Sequence, residues 1–204
     1  RRKRPNTQFA RYADDAVVHA RSLTEAKELL KALRERMGEC GLELHPEKTR
    51  IVYCQDSDRK GEYEHIAFDF LGYTFRPRRA KNWRGKMFIS FLPGVSQKAS
   101  KAIRAKMRGW KLGATRNNQS LEDLARAVNP IVRGWLNYYG RYYPSALTPV
   151  LRDLDRALVQ WACRKYKRLY RHRRRATHWL GRLARRAPEL FSHWKAGIRP
   201  AAGS

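Results

Sequence analysis

The chain has 204 residues, of which 42% are hydrophobic and 31% charged, enough to build one large domain or two small ones. Its net charge of +27 favours a polyanionic partner, with nucleic acid as the first candidate and a membrane surface as the second. No apolar run reaches the ~18 residues of a membrane-spanning helix. The three cysteines, Cys40, Cys54 and Cys163, are widely spaced, which excludes a disulfide framework and a CxxC metal site.

The first predicted element is a β-hairpin around two adjacent aspartates. Short apolar runs flank Asp14 and Asp15 in RYADDAVVHA, the pattern of two strands joined by a turn. Adjacent like charges repel, and Asn-Gly would form such a turn more easily. Carboxylates are ligands that Mg²⁺ accepts, and a pair of such ions can activate a hydroxyl and stabilise a leaving pyrophosphate. A structural turn and a divalent-metal site are both open at this point.

The rest of the first half alternates one helix with several strands. Thr24 is the predicted N-cap of a helix with apolar residues at helical spacing, and Gly41 is its predicted C′ residue. Strands are predicted for LEL and RIVYC around the turn HPEKT, for IAFDFLGYTF, and for MFISFL. The segment RPRRAKNWRGK between the last two is predicted to be a charged loop.

The second half is predicted to be helical. Ser96 and Ser120 are the predicted N-caps of two helices, residues 112–119 are a predicted loop, and Pro130 is predicted to begin a further helix. From Leu147 one long amphipathic helix is predicted to continue through the basic run RKYKRLYRHRRR, and a last helix covers THWLGRLARRA. Residues 1–100 carry a charge surplus of 8 and residues 101–204 one of 19, so the second half is the stronger candidate for binding a polyanion.

Several segments in fixed order resemble a known family. Tyr12-Ala13-Asp14-Asp15 resembles the YxDD signature of reverse transcriptases. GLELHPEKTRIVY (41–53) and FDFLGYTF (68–75) resemble the two motifs that follow it, the second of which is called the primer grip. NPIVRGWLNYYGRYY (129–143) and LRDLDRALVQWACRKYKR (151–168) resemble the maturase-specific domain of group II intron proteins. The resemblance extends over nearly the whole chain.

The resemblance implies an α+β fold, with the C-terminal part of a polymerase palm at residues 1–94 and an all-α thumb or maturase domain at 95–204. Asp14 and Asp15 would be two of three catalytic carboxylates that bind Mg²⁺. Lys48 matches a lysine suspected of protonating the leaving pyrophosphate, and a cation there would also stabilise developing charge. The residues that match the primer grip are Phe70, Leu71 and Gly72. For Lys48 a solvated turn, and for residues 70–72 an ordinary buried strand, are equally open interpretations.

One departure from the family pattern concerns the third carboxylate, which lies N-terminal to YxDD in the family. Residues 1–13 contain no Asp or Glu. We therefore expect the chain to be part of a longer protein and not to polymerise DNA by itself.

Candidate RNA contacts lie in the second half. RNA binding combines phosphate neutralisation with stacking of unpaired bases on aromatic rings. The predicted RNA-binding residues are Arg133, Arg141, Arg164, Lys165, Lys167, Arg168, Arg171 and Arg173. The aromatic residues between Arg133 and Arg141 are equally compatible with a helical core, which we favour for Trp135 and Tyr139.

Two function hypotheses follow from the resemblance. The first is a group II intron reverse transcriptase with maturase function, whose partners are group II intron RNA, an RNA template and a DNA primer. The second is an RNA-binding splicing cofactor without polymerase activity. A retron or diversity-generating reverse transcriptase is disfavoured by NPIVRGWLNYYG. We expect a cytoplasmic, bacterial location with an organelle left open, no membrane partner, and an assembly state, such as a homodimer, that the sequence does not determine.

Overall fold

A computed structural model describes residues 7–59 and 61–203. The described residues form two compact units, the first comprising those up to Phe70 together with Arg76–Phe91, and the second comprising Leu71–Phe75 together with those from Leu92 onward. The molecule is mixed α+β with small sheets and several helices, which confirms the predicted fold class. The domain limits 1–94 and 95–204 stay a prediction.

Among its described residues, the first half of the chain carries five strands and one helix. Strands β1 (Phe9–Tyr12) and β2 (Asp15–Val18) form an antiparallel hairpin, as predicted, and helix α1 spans Leu23–Glu39. Strands β3 (Phe68–Phe70), β4 (Tyr73–Lys81) and β5 (Met87–Val95) form a sheet in the order β3-β4-β5.

Four predictions for this half differ from the structure. The N-cap of α1 is Ser22, not Thr24, because the Ser22 hydroxyl accepts the backbone N–H of Glu25 at 3.1 Å. LEL and RIVYC are not strands, because strand-like composition does not supply a pairing partner. RPRRAK is not a loop but lies within β4, where pairing outweighs its high charge. The predicted strand IAFDFLGYTF is divided by a turn at residues 71–72.

The second half forms six α-helices among the described residues. These are α2 (Gln97–Gly109), α3 (Leu112–Thr115), α4 (Leu121–Tyr139), α5 (Pro144–Lys165), α6 (Arg173–Arg186) and α7 (Ser192–Lys195). Both predicted serine caps are confirmed: Ser96 accepts the N–H of Ala99, and Ser120 forms a reciprocal capping box with Asp123. α3 lies within the stretch predicted to be a loop.

Two helix boundaries differ from those predicted. Pro130 lies inside α4 instead of beginning a helix, and the buried Val128 and Val132 on either side provide packing that offsets the lost backbone hydrogen bond. The long helix predicted from Leu147 ends at Lys165, followed by a short 3₁₀ turn at Lys167–Leu169. The helix ends where Tyr166 adopts an extended backbone, with φ of −106° and ψ of 115°. The left-handed backbone of Arg171, with φ of 61°, also interrupts the run before α6.

The core of the second unit consists of apolar side chains from its helices. The largest fully buried ones are Trp161, Trp194 and Phe191, and Leu124, Leu151, Leu154 and Leu158 surround them. One polar cluster lies within this core: Asp155 Oδ1 accepts a hydrogen bond from Trp194 Nε1 at 2.9 Å and lies 2.9 Å from His193 Nε2. This cluster joins α5 to α7. No helix in residues 7–59 or 61–203 is both long and apolar enough to cross a membrane.

Candidate nucleic-acid interface

The aspartate hairpin presents both carboxylates to solvent. Tyr12 pairs with Asp15 in the strand register, which leaves Ala13 and Asp14 as a two-residue turn. Ala13 has a φ of 52°, a left-handed conformation that is uncommon for a residue with a side chain. The guanidinium Nε of Arg11 donates a hydrogen bond to the Ala13 carbonyl at 2.8 Å. A non-glycine residue in this position indicates backbone strain, a feature that clusters at functional sites.

The two carboxylates of the hairpin are of the kind that Mg²⁺ accepts as ligands. Asp14 and Asp15 are exposed and adjacent, and Mg²⁺ is commonly held by one or two carboxylates together with substrate phosphates. Within the part of the chain that the structure describes, no group of three His, Cys, Asp or Glu side chains could hold a metal ion. The two carboxylates therefore fit a site that substrate and a further acidic residue would complete.

Lys48 lies in an exposed turn at residues 46–48, which the hydrogen bond from the backbone N–H of Thr49 to the His45 carbonyl closes at 2.9 Å. None of the hydrogen bonds or ion pairs among the described residues joins Lys48 to Asp14 or Asp15. The structure does not bring this lysine into direct contact with the acidic pair, and its role stays a prediction.

The predicted primer grip is a strained two-residue turn between β3 and β4. Phe70 is half-buried at the end of β3, whereas Leu71 is 39% exposed. The φ angles of Leu71 and Gly72 are 50° and 77°, and positive φ at both central positions is the pattern of a type I′ turn. Leucine is unusual there, because its side chain raises the energy of the left-handed conformation.

Helical residues of the second unit hold this turn in place. The Tyr138 hydroxyl donates a hydrogen bond to the Leu71 carbonyl at 2.9 Å. The backbone N–H of Ser96 donates to the Gly72 carbonyl at 2.9 Å. Both carbonyls of the turn are thus fixed by residues distant in sequence, which is how a strained backbone persists.

An aromatic cluster stands beside the turn. The ring of the buried Tyr73 lies 5.2 Å from Tyr138, 5.5 Å from Tyr139 and 5.8 Å from Tyr142, centroid to centroid, and its hydroxyl donates to the Tyr138 carbonyl. Burial, with the neighbouring tyrosines, raises the pKa of Tyr73. Tyr138 and Tyr142 remain 47% and 54% exposed. The cluster is therefore mainly structural, with two rings accessible at its surface.

Two other aromatic residues of α4, Trp135 and Tyr139, face the apolar core. Trp135 and Tyr139 are partly buried and pack against the apolar core, and Trp135 stacks on Trp110 with 5.6 Å between ring centroids. These positions agree with the core interpretation that the sequence favoured for both rings.

We predict that Gly72→Ala lowers the free energy of unfolding by about 2 kcal/mol. An alanine at φ of 77° would carry the cost of the left-handed conformation, and its Cβ would lie 3.0 Å from the Tyr139 hydroxyl. Urea unfolding measures the loss. Leu71→Gly is the control, because it relieves the neighbouring strain and should be neutral or stabilising; an equal loss in both variants would contradict the proposed strain.

Arg133 and Arg141 lie at the surface. Arg133 is an exposed residue of α4, and Arg141 follows the helix with its guanidinium carbon 5.7 Å from the centroid of the Tyr142 ring. An exposed cation next to an exposed aromatic ring can contact both the phosphate and the base of a nucleotide. The geometry of Arg141 and Tyr142 suits such a contact.

The first two residues of the basic run bind the protein itself. Arg164 donates to the Gly113 carbonyl. The Lys165 ammonium donates to the carbonyls of Asn117 at 3.1 Å and Gln119 at 2.7 Å, and lies 5.4 Å from the Trp161 ring centroid. These two side chains therefore fasten the segment before α4 to the end of α5, whatever else they contact.

The last five residues of the run line an open cavity of about 640 Å³. Lys167 and Arg168 are exposed on the 3₁₀ turn, and Arg171 and Arg173 line the cavity. All of the lining residues are Arg or His: Arg171, His172, Arg173, Arg174, Arg175, His178 and Arg182. A concave surface lined by cations attracts phosphate groups more strongly than a flat one, because its walls focus the field.

Arg174 and Arg175 belong to the basic run but are not among the predicted RNA-binding residues, and Arg182 lies outside the run. Residues 174, 178 and 182 recur every four positions and therefore share one face of α6. That periodicity was present in the sequence, but it was hidden by assigning the run to the preceding helix.

Two family models match the chain. The model described as reverse transcriptase (RNA-dependent DNA polymerase) matches residues 1–75, and the model described as group II intron, maturase-specific domain matches residues 100–179. No curated protein and no solved structure matches the chain significantly.

The two matches agree with the order of elements in the structure. The reverse transcriptase match contains the aspartate hairpin and the 71–72 turn, whereas the maturase match contains α4, α5 and most of the cationic cavity. The resemblance predicted from the motifs is thereby confirmed. Together the two matches support a chain that combines a reverse transcriptase region with a group II intron maturase-specific region, as in intron-encoded reverse transcriptase and maturase proteins.

Proposed function

We propose that the chain binds group II intron RNA through its helical half and assists the folding of that RNA for splicing. The observation that carries the proposal is the cavity lined entirely by Arg and His side chains at the start of α6. Guanidinium groups bind phosphates in bidentate geometry and cannot lose their charge near neutral pH. A folded RNA offers closely spaced phosphates that such a concave surface can neutralise together.

The hairpin and the 71–72 turn support a role in RNA-templated DNA synthesis when the polymerase site is complete. Asp14 and Asp15 would hold Mg²⁺, which in such sites activates the attacking hydroxyl and stabilises the leaving pyrophosphate. The exposed Leu71, on a turn in which Gly72 has a φ of 77°, would position the primer strand. Lys48 would supply a cation near the leaving group.

A splicing cofactor without polymerase activity is the second candidate. It is compatible with the observation that no third acidic, His or Cys side chain joins Asp14 and Asp15 within residues 7–59 and 61–203. DNA synthesis by the isolated chain, in a primer-extension assay with Mg²⁺ and deoxynucleotides, would exclude this second candidate.

We predict that the isolated chain binds structured RNA with an affinity that falls steeply as salt rises. Each neutralised phosphate releases condensed counterions and adds about 0.7 to 0.9 to the slope of log K against log salt. Filter binding across a salt series, with heparin as competitor, measures this slope. Equal competition by heparin and by structured RNA, or a slope below about two, would contradict intron RNA as the partner.

A further inference from the structure

The hairpin that joins β4 to β5 ends in a well-ordered turn. Asn82 organises it: its side-chain oxygen accepts the backbone N–H of Lys86 at 2.9 Å, and its own backbone exchanges hydrogen bonds with Lys86 and Gly85. Gly85 has a φ of 82°, which glycine adopts without strain. These hydrogen bonds define the conformation of the tip without using the side chain of Trp83.

Trp83 projects from this tip into solvent. Its side chain is 87% exposed, more than any other large hydrophobic residue among those described. The guanidinium carbon of Arg84 lies 4.6 Å from the centroid of the indole ring, within the range of a cation–π contact. The structure thus displays a flat aromatic face together with a positive charge on a rigid turn.

The surroundings of Trp83 are cationic. Residues 76–91 contain six Arg or Lys and no Asp or Glu, and Lys81, Arg84 and Lys86 are exposed around the tip. The segment around Ser57 contacts this hairpin, because the backbone N–H of Ile89 donates to the Ser57 hydroxyl. In that segment Asp56 accepts two backbone N–H groups of its own loop and pairs with Arg59 at 3.4 Å. The charge of Asp56 is therefore partly compensated within its own loop. An aromatic ring surrounded by positive charge suits a nucleotide better than an apolar protein surface.

We propose that Trp83 and Arg84 form a stacking platform for an unpaired base of a nucleic-acid strand, with Lys81 and Lys86 contacting the adjacent phosphates. This inference rests on the proposed function only in taking nucleic acid as the partner. It assigns a contact to residues that neither the catalytic motifs nor the basic run include. Stacking on an indole face does not depend on base identity, so the platform would accept a strand of mixed sequence.

The test compares Trp83→Ala with Trp83→Phe on the intact chain. Binding of a short single-stranded RNA, and of a DNA of the same sequence, is measured by fluorescence anisotropy across a salt series. Trp83→Ala should weaken binding about tenfold, because one stacked base is lost, whereas Trp83→Phe should stay within about threefold of wild type. The salt slope should be unchanged in both, because no charge is removed. Weaker binding of both the RNA and the DNA by Trp83→Ala would show that the platform stacks a base without contacting the 2′-hydroxyl. Weaker binding of the RNA alone would show that the platform is specific for RNA.

Met87→Ala provides the matched control, since Met87 is an exposed apolar residue of the same hairpin and has no ring to stack. It should bind like wild type. Equal binding by wild type and Trp83→Ala on both strands, with the steep salt slope retained, would overturn the platform and leave the proposed function standing. If the affinity of the wild-type chain does not fall as salt rises, the proposed function is overturned instead. Weakening by Met87→Ala equal to that by Trp83→Ala would show a general apolar contact and also overturn the platform.

Discussion

Asp155→Ala is expected to lower the free energy of unfolding by about 3 to 5 kcal/mol. Asp155 is buried within the helical core, and its Oδ1 atom is the acceptor for Trp194 Nε1 and the partner of His193 Nε2. Removing the carboxylate leaves two fully buried polar groups of α7 without their acceptor, and such groups retain the whole cost of lost hydration. Urea unfolding, followed by tryptophan fluorescence, measures the change.

Asp153→Ala is the matched control on the same helix. Asp153 pairs with Arg104 at 2.7 Å and with Arg156, but these groups are partly exposed. Ion pairs at the surface contribute about 0 to 1 kcal/mol, so the control should lose much less stability. Equal losses in the two variants would mean that the buried cluster does not stabilise α7. Asp155→Asn, which keeps an oxygen acceptor, should lie between the control and Asp155→Ala.

Removing four charges around the cationic cavity should weaken binding of structured RNA about 100- to 1000-fold at moderate salt. The variant replaces Lys167, Arg168, Arg171 and Arg173 with Gln, which keeps the length of the side chain while removing its charge. Four lost phosphate contacts at about 0.7 each should reduce the salt slope by about three. Binding measured across a salt series reports both quantities, and circular dichroism checks that the helices are retained.

Arg164→Gln combined with Lys165→Gln is the comparison variant. Because these two side chains donate to carbonyls of residues 113–119, their loss should lower stability by about 1 to 2 kcal/mol and reduce the salt slope less than the four-residue variant does. A four-residue variant with an unchanged slope would remove these four residues, two of which line the cavity, from the RNA site. A larger slope change in the two-residue variant would place the main contacts at the end of α5.

Local signals in the sequence predicted local structure well. The aspartate hairpin, the caps Ser96 and Ser120, and Gly41 after α1 depend on neighbouring residues alone, and the structure confirms each. The predictions failed where contacts with residues distant in the sequence determine the secondary structure. Pro130 stays inside α4 because the surrounding valines are buried, and the charged segment before Trp83 is a strand because it has a partner to pair with.

The same distinction applies to the candidate site. The motifs predicted Asp14 and Asp15 on a hairpin, because a strand–turn–strand pattern is readable over ten residues. Lys165 is a surface cation and also donates hydrogen bonds to backbone carbonyls more than 40 positions away. No local pattern in the sequence indicates this second role. The exposed Trp83 was equally hidden, because exposure depends on the whole sheet.

The hydrogen bond between Ser96 and Gly72 has a mechanical consequence. The Ser96 backbone N–H holds the carbonyl of Gly72, while the Ser96 hydroxyl caps the first turn of α2. The turn that carries Leu71 is therefore attached to the first turn of α2 through one residue. If a bound nucleic acid shifted the start of α2, we would expect this attachment to carry part of the shift to Leu71.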